Sequence, residues 1–162
     1  MRQLELSNLK DPRYKGALCA IETAKDLLGR NEDEIGEMVD SGQVVAFDIR
    51  TPDSARRDLR VLKASIVEFN QADAADHVSS IEPSQAVALV MADFKHDKPF
   101  LSGKEIGRVL NCGRQHRMNL FHAKALNPIT SGDDKAWRRG PNGSPRVSRA
   151  EFCAWLTSRI AL

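Results

Sequence analysis

The sequence predicts a mainly α-helical fold with short β-hairpins, of the α+β class, built from two copies of one unit. Two observations carry that expectation. Helical apolar spacing, a turn, a second helical stretch, short extended runs and a closing amphipathic stretch occur twice in the same order. The ends of the copies also match: RVLKASIVEF at 60–69 aligns with RVSRAEFCAW at 146–155, pairing Lys63 with Arg149, Ile66 with Phe152 and Phe69 with Trp155. Leu28 to Ile35 and Leu110 to Arg117 keep one seven-residue step in both copies, so the match is co-linear.

In the first copy Ile21, Ala24, Leu27 and Leu28 mark one face of a helix that Gly29 ends. Asn31 and Glu34 are spaced as an N-cap and its partner. The helix they start carries Ile35, Met38 and Val39 on one face and stops at Ser41-Gly42. VVAFDIR then reads as a strand, TPDSARRD as a loop and LRVL as a returning strand, and a short helix through Ile66, Val67 and Phe69 closes the unit.

The second copy begins with the capping box Ser102-Gly103-Lys104-Glu105, and Ile106, Val109 and Leu110 give its first helix an apolar face. Asn111-Cys112-Gly113 is the turn, and Leu120 and Phe121 anchor the second helix. Asn127 to Thr130 reads as a strand, a loop rich in Gly and Pro runs to Ser144, and PRVS is the returning strand. Ser148 with Glu151 caps a last helix whose stripe is Phe152, Trp155, Leu156 and Ile160.

Between the copies, Asn70 to Ser80 is small and polar, as in a linker. Pro83 then opens an amphipathic helix over 83–95, with Val87, Val90, Met91 and Phe94 on one face. That face packs on one of the copies or forms a dimer contact. The resulting division is an N-terminal arm at 1–17, a first unit at 18–70, a linker with its helix at 71–99 and a second unit at 100–162.

Helix, tight turn, helix, two strands and a closing helix resembles the small winged-helix domains of the excisionase and MerR-type families. LSGKEIGRVLNCGRQHRMNLF corresponds to their helix-turn-helix, and SPRVSRAEFCAWL to the end of a basic wing with its supporting helix. The resemblance implies two winged helix-turn-helix modules and a double-stranded DNA-binding role, as a regulator or excisionase-like architectural factor of a phage or mobile element. DNA recognition during phage packaging, as by a small terminase subunit, has the same physics. One residue departs from the pattern. Where the first copy has Ile35, the second has Arg117, so either the Arg stem covers apolar surface or the turn is one residue longer and Met118 takes the place.

On that reading the recognition helix spans 113–123 and the basic wing 135–147. Arg114, Gln115, His116 and Asn119 lie on the helix's first turns and outer side, and Arg, Gln and Asn are the side chains that pair with base edges in a major groove. Lys104 and Arg108 would lie near phosphates, and Arg138, Arg139 and Arg146 flank the wing loop. From 104 to 151 ten cations face four carboxylates, an excess of six in a chain whose formal net charge is only +2. The first copy's second helix instead carries Glu32, Asp33, Glu34, Glu37 and Asp40 against Arg30, and phosphates repel it. Its Arg56, Arg57 and Arg60 could still hold a DNA backbone, while Glu32, Asp33, Glu37 and Asp40 face solvent or a basic protein partner. An adaptor or inhibitor working through that acidic surface is the reading of a different class.

Composition bounds the remaining classes. With 41% hydrophobic and 28% charged residues the chain can fill a core, and 6% aromatics make that core aliphatic. Three cysteines without a C-x-x-C pair argue against a disulfide framework, and Cys112 with His116 lacks the further ligands zinc requires. The phosphate-loop pattern fails at Lys98 and Glu105, and no nucleophile and base are spaced as a catalytic pair. The expectation is a cytoplasmic protein without enzymatic activity, cofactor, metal or membrane association, with a homo-oligomer left open.

Overall fold

The structure, a computed structural model, describes residues 16–72, 76–127 and 145–161. It mixes helices with small antiparallel sheets, as the α+β expectation requires. The first unit runs β1 (Leu18–Ala20), α1 (Ile21–Leu28), α2 (Glu32–Asp40), β2 (Ala46–Asp48), β3 (Leu59–Leu62) and α3 (Lys63–Gln71). Gly29 ends α1 in the left-handed region, at φ 62°. Asn31 and Glu34 form the reciprocal capping box at the start of α2, with bonds of 2.9 and 2.8 Å. Such a cap contributes about 1 kcal/mol.

The connecting helix α4 (Pro83–Met91) ends four residues before the expected position, at 95. Ala92, Asp93 and Phe94 follow as turns, and Phe94 reaches the core from there. Ala86, Val87 and Val90 are buried, and α4 packs against the last helix of the second unit.

The second unit repeats the order with β4 (Phe100–Ser102), α5 (Gly103–Val109), α6 (Arg114–His122), β5 (Arg146–Ser148) and α7 (Arg149–Ser158). Its expected strand at 127–130 falls largely outside the described residues, and Asn127 itself has no regular structure. Neither β1 nor β4 was expected. Three residues are too few to display period-two alternation, and Leu18-Cys19-Ala20 has no β-branched residue.

Corresponding elements of the two units recur at a constant step of 82 positions from β1 to the end of α6. Gly29 corresponds to Asn111, with φ of 62° and 51°, and Gly42 to Lys124, with φ of 75° and 56°. The bond from Gln43 N–H to the Met38 carbonyl, 2.9 Å, recurs from Ala125 to Leu120 at 3.0 Å. After the loops the step becomes 86, pairing Arg60 with Arg146. Lys63 N–H bonds the Ala17 carbonyl at 2.9 Å just as Arg149 N–H bonds that of Pro99 at 2.8 Å. The register at Arg117 is thereby fixed. Arg117 N–H bonds the Gly113 carbonyl where Ile35 N–H bonds that of Asn31, so there is no extra turn residue and Arg117 occupies the aliphatic position.

Ile160 does not continue the last helix. It lies in β6 (Ile160–Ala161), which pairs antiparallel with β2 of the first unit, so the four-stranded sheet has the order β1-β3-β2-β6. Arg159 reinforces the junction, giving its Nε–H to the Asp48 carbonyl at 2.7 Å. Leu18, Phe47, Ile49 and Leu62 of the first unit share one buried cluster with Leu101, Ile106, Leu120, Phe152 and Leu156 of the second. Each such side chain is worth about 1.5 to 3 kcal/mol when buried, so contact between the units is part of the core. A second cluster, around Ile35, Val39, Val61 and Ile66, draws all its buried residues from the first unit, with Ala161 of β6 packed against it. Among the described residues no helix is long and apolar enough to cross a membrane.

Candidate functional site

Helix α6 is anchored by Leu120 and Phe121, both buried, with Met118 packed partly against the same core. Its N-cap is Gly113, which offers no capping side chain. The helix is therefore held by tertiary packing, and its opposite side carries the polar residues. Arg114, Gln115 and Asn119 are exposed, and Gln115 Nε2 donates to Asn119 Oδ1 at 2.9 Å, as an i, i+4 pair on one face should.

His116 points elsewhere. Its Nε2–H donates to the Ile49 carbonyl at 2.6 Å, and Nδ1 lies 3.6 Å from Asp58. His116 thus joins α6 to the first unit. Arg60 does the same for the turn before α6. Its Nε–H donates to the carbonyls of Leu110 and Asn111, at 2.9 and 3.2 Å, and its Nη1 pairs with Asp58. These carbonyls end α5 and have no helical partner of their own, so the guanidinium satisfies them as a cap from a neighbouring strand.

Arg117 fills the space left by Gly107 on α5. A Cβ at position 107 would stand 3.4 Å from Arg117 Cδ and collide with its guanidinium. The Arg stem replaces the aliphatic packing of Ile35, and its Nε is buried without a hydrogen-bond partner among the described residues. Burial and the neighbouring Arg60 and Arg117 act oppositely on the Cys112 thiol beside it, and burial prevails, raising its pKa.

The remaining cations of the second unit divide by position. Lys104 and Arg108 are exposed on one face of α5, one turn apart, with Arg108 Nη2 bonded to the Asp93 carbonyl at 3.1 Å. Arg146 is exposed on β5, opposite Ser102. Arg138 and Arg139 lie outside the described residues.

In the first unit the candidate cations and anions meet one another. Arg56 bonds Glu32 at 2.8 Å and Arg57 bonds Asp40 at 2.9 Å, across an open cleft of about 960 Å³ between α2 and the β2–β3 loop. Asp33 and Glu37 line the same cleft, and both are exposed. His116 and Asn119 form its far edge. Sequence spacing could not show these pairings, because each joins a loop to a helix more than fifteen positions away.

Among the described residues no three His, Cys, Asp or Glu side chains converge as a metal site would need. No protein-family model, curated protein or solved structure matches the chain.

Proposed function

We propose that this chain binds double-stranded DNA without catalysis, as two winged helix-turn-helix units of which only the second enters a major groove. One observation supports this above the rest. On matched backbones, Glu32, Asp33, Glu34, Glu37 and Asp40 of α2 give way to Arg114, Gln115, His116, Asn119 and His122 of α6. Five carboxylates that phosphates would repel are replaced by side chains that are neutral or cationic.

Within α6 the reading residues are Arg114, Gln115 and Asn119, because His116 is occupied with the Ile49 carbonyl. Lys104, Arg108 and Arg146, with Arg138 and Arg139, would hold phosphates. Arg56, Arg57 and Arg60 of the first unit are engaged by Glu32, Asp40, Asp58 and backbone carbonyls, so that unit's part is to fix the direction of α6. A regulator or an excisionase-like architectural factor of a mobile element is the role that fits such a reader.

The test is a salt titration of duplex affinity by fluorescence anisotropy. With on the order of six phosphate contacts, affinity falls about a thousandfold between roughly 50 and 200 mM salt. Absence of duplex binding at low salt, or an affinity indifferent to salt, contradicts the proposal.

A further inference from the structure

A second surface lies on the two-stranded sheet of β4 and β5. Leu101 and Val147 face each other across it and are fully buried, which puts Phe100 and Arg146 on the other face as diagonal neighbours. Phe100 is 48% exposed, unusual for a side chain of its size. With His96, Lys98, Pro99 and Arg146 it lines a depression of about 420 Å³, and Ser102 and Glu105 close one side.

The walls of this depression are fixed. His96 Nδ1 accepts the Lys98 backbone N–H at 3.1 Å, and its Nε2–H donates to Glu105 Oε1 at 2.6 Å. Glu105 Oε2 accepts the Ser102 N–H at 2.9 Å, so both carboxylate oxygens are committed within the wall. Arg149 braces the segment from behind. It donates to the carbonyls of Lys98, at 3.0 Å, and His96, with its guanidinium 5.7 Å from the Phe94 ring centre. Lys98 and Arg146, both exposed, stand against the one carboxylate and leave a single positive charge.

An exposed aromatic ring beside that charge suits a base together with one phosphodiester. We propose that the depression binds single-stranded nucleic acid, with an unpaired base stacked on Phe100 and its phosphate held by Lys98 and Arg146. Duplex does not satisfy the site, because stacked pairs hide the base faces that Phe100 would need. The site therefore shares Arg146 with the proposed duplex surface but none of the α6 residues assigned to base reading, and Phe100 belongs to it alone.

The experiment uses the full chain and two fluorescent strands of equal length, oligothymidylate and an abasic deoxyribose-phosphate chain. Oligothymidylate binds more tightly, Phe100→Ala weakens it about tenfold without affecting the abasic strand, and Phe100→Tyr restores it. Equal affinity for the two strands, or Phe100→Ala binding oligothymidylate like the unsubstituted protein, overturns the proposal. Duplex affinity should be the same in Phe100→Ala. Its loss in the unsubstituted protein would refute the α6 reading and leave this one standing.

Discussion

Arg117 of α6 lies across Gly107 of α5, and each residue explains the other. Glycine inside a helix costs about 1 kcal/mol relative to alanine, and here the missing side chain makes room for a guanidinium that has replaced an aliphatic anchor. Gly107→Ala should therefore displace the Arg117 guanidinium, the far end of a flexible side chain, at a cost that roughly cancels the gain of about 1 kcal/mol in helix propensity. With Arg117→Ala already in place, the same substitution should stabilise by about 1 kcal/mol. Thermal denaturation of the single and double variants checks this, and a Gly107→Ala effect that is the same in both backgrounds would exclude the packing described.

Arg60 is the corresponding device between units. Arg60→Ala leaves the Leu110 and Asn111 carbonyls without their donor and Asp58 without its cation, at a cost of about 1.5 to 3 kcal/mol. The melting temperature should fall, whereas Arg56→Ala, whose side chain is 81% exposed, should scarcely change it. Equal effects from the two substitutions would mean that Arg60 holds nothing.

Gly42 and Lys124 occupy the same left-handed position after the second helix of each unit. A lysine there carries a steric cost of about 1 to 2 kcal/mol that glycine does not. Lys124→Gly should be neutral or stabilising by up to about 1 kcal/mol, and Gly42→Ala destabilising by a similar amount. The denaturant midpoint of Gly42→Ala should fall, and that of Lys124→Gly should not.

Acid should loosen the protein through Glu105 and Glu68. Burial alone would raise both carboxyls. For Glu105 the Ser102 N–H, His96 and the Ser102 hydroxyl outweigh it, and for Glu68 the hydroxyls of Ser79 and Ser80, the Ser80 N–H and His77 do so. Both pKa values end below the ordinary 4.5. The stabilisation is then complete above that value and is lost as pH falls through the lowered folded pKa. The double substitution Glu105→Gln, Glu68→Gln should flatten the dependence of melting temperature on pH below about 4.5, and an unchanged slope would show that neither carboxylate contributes.

The elements most legible in the sequence were those whose signal is local. Gly29, the Asn31 and Ser102 caps and the Leu59–Leu62 strand are recoverable from spacing because neighbouring residues decide them. What depended on distant partners was not legible. Ile160 has the spacing of a helical stripe, yet its neighbour is Phe47 across a strand pair. His116 and Asn119 are equally polar, yet only His116 has a carbonyl of the first unit within bonding distance, 67 positions away. Arg56 and Glu32 looked like members of two different surfaces until the fold placed them 2.8 Å apart.

On the proposed function, the sign reversal between matched helices makes α6, and not α2, the reader of duplex. It is tested most directly by selecting a preferred duplex from a random pool and comparing affinities for that duplex and a scrambled one. Arg114→Ala with Asn119→Ala should erase the preference, each lost base contact being worth about 1 to 3 kcal/mol. Asp33→Ala with Glu37→Ala should leave the preference intact, with affinity for both duplexes equal or higher. If the α2 variant loses discrimination and the α6 variant keeps it, the roles assigned to the two helices are reversed.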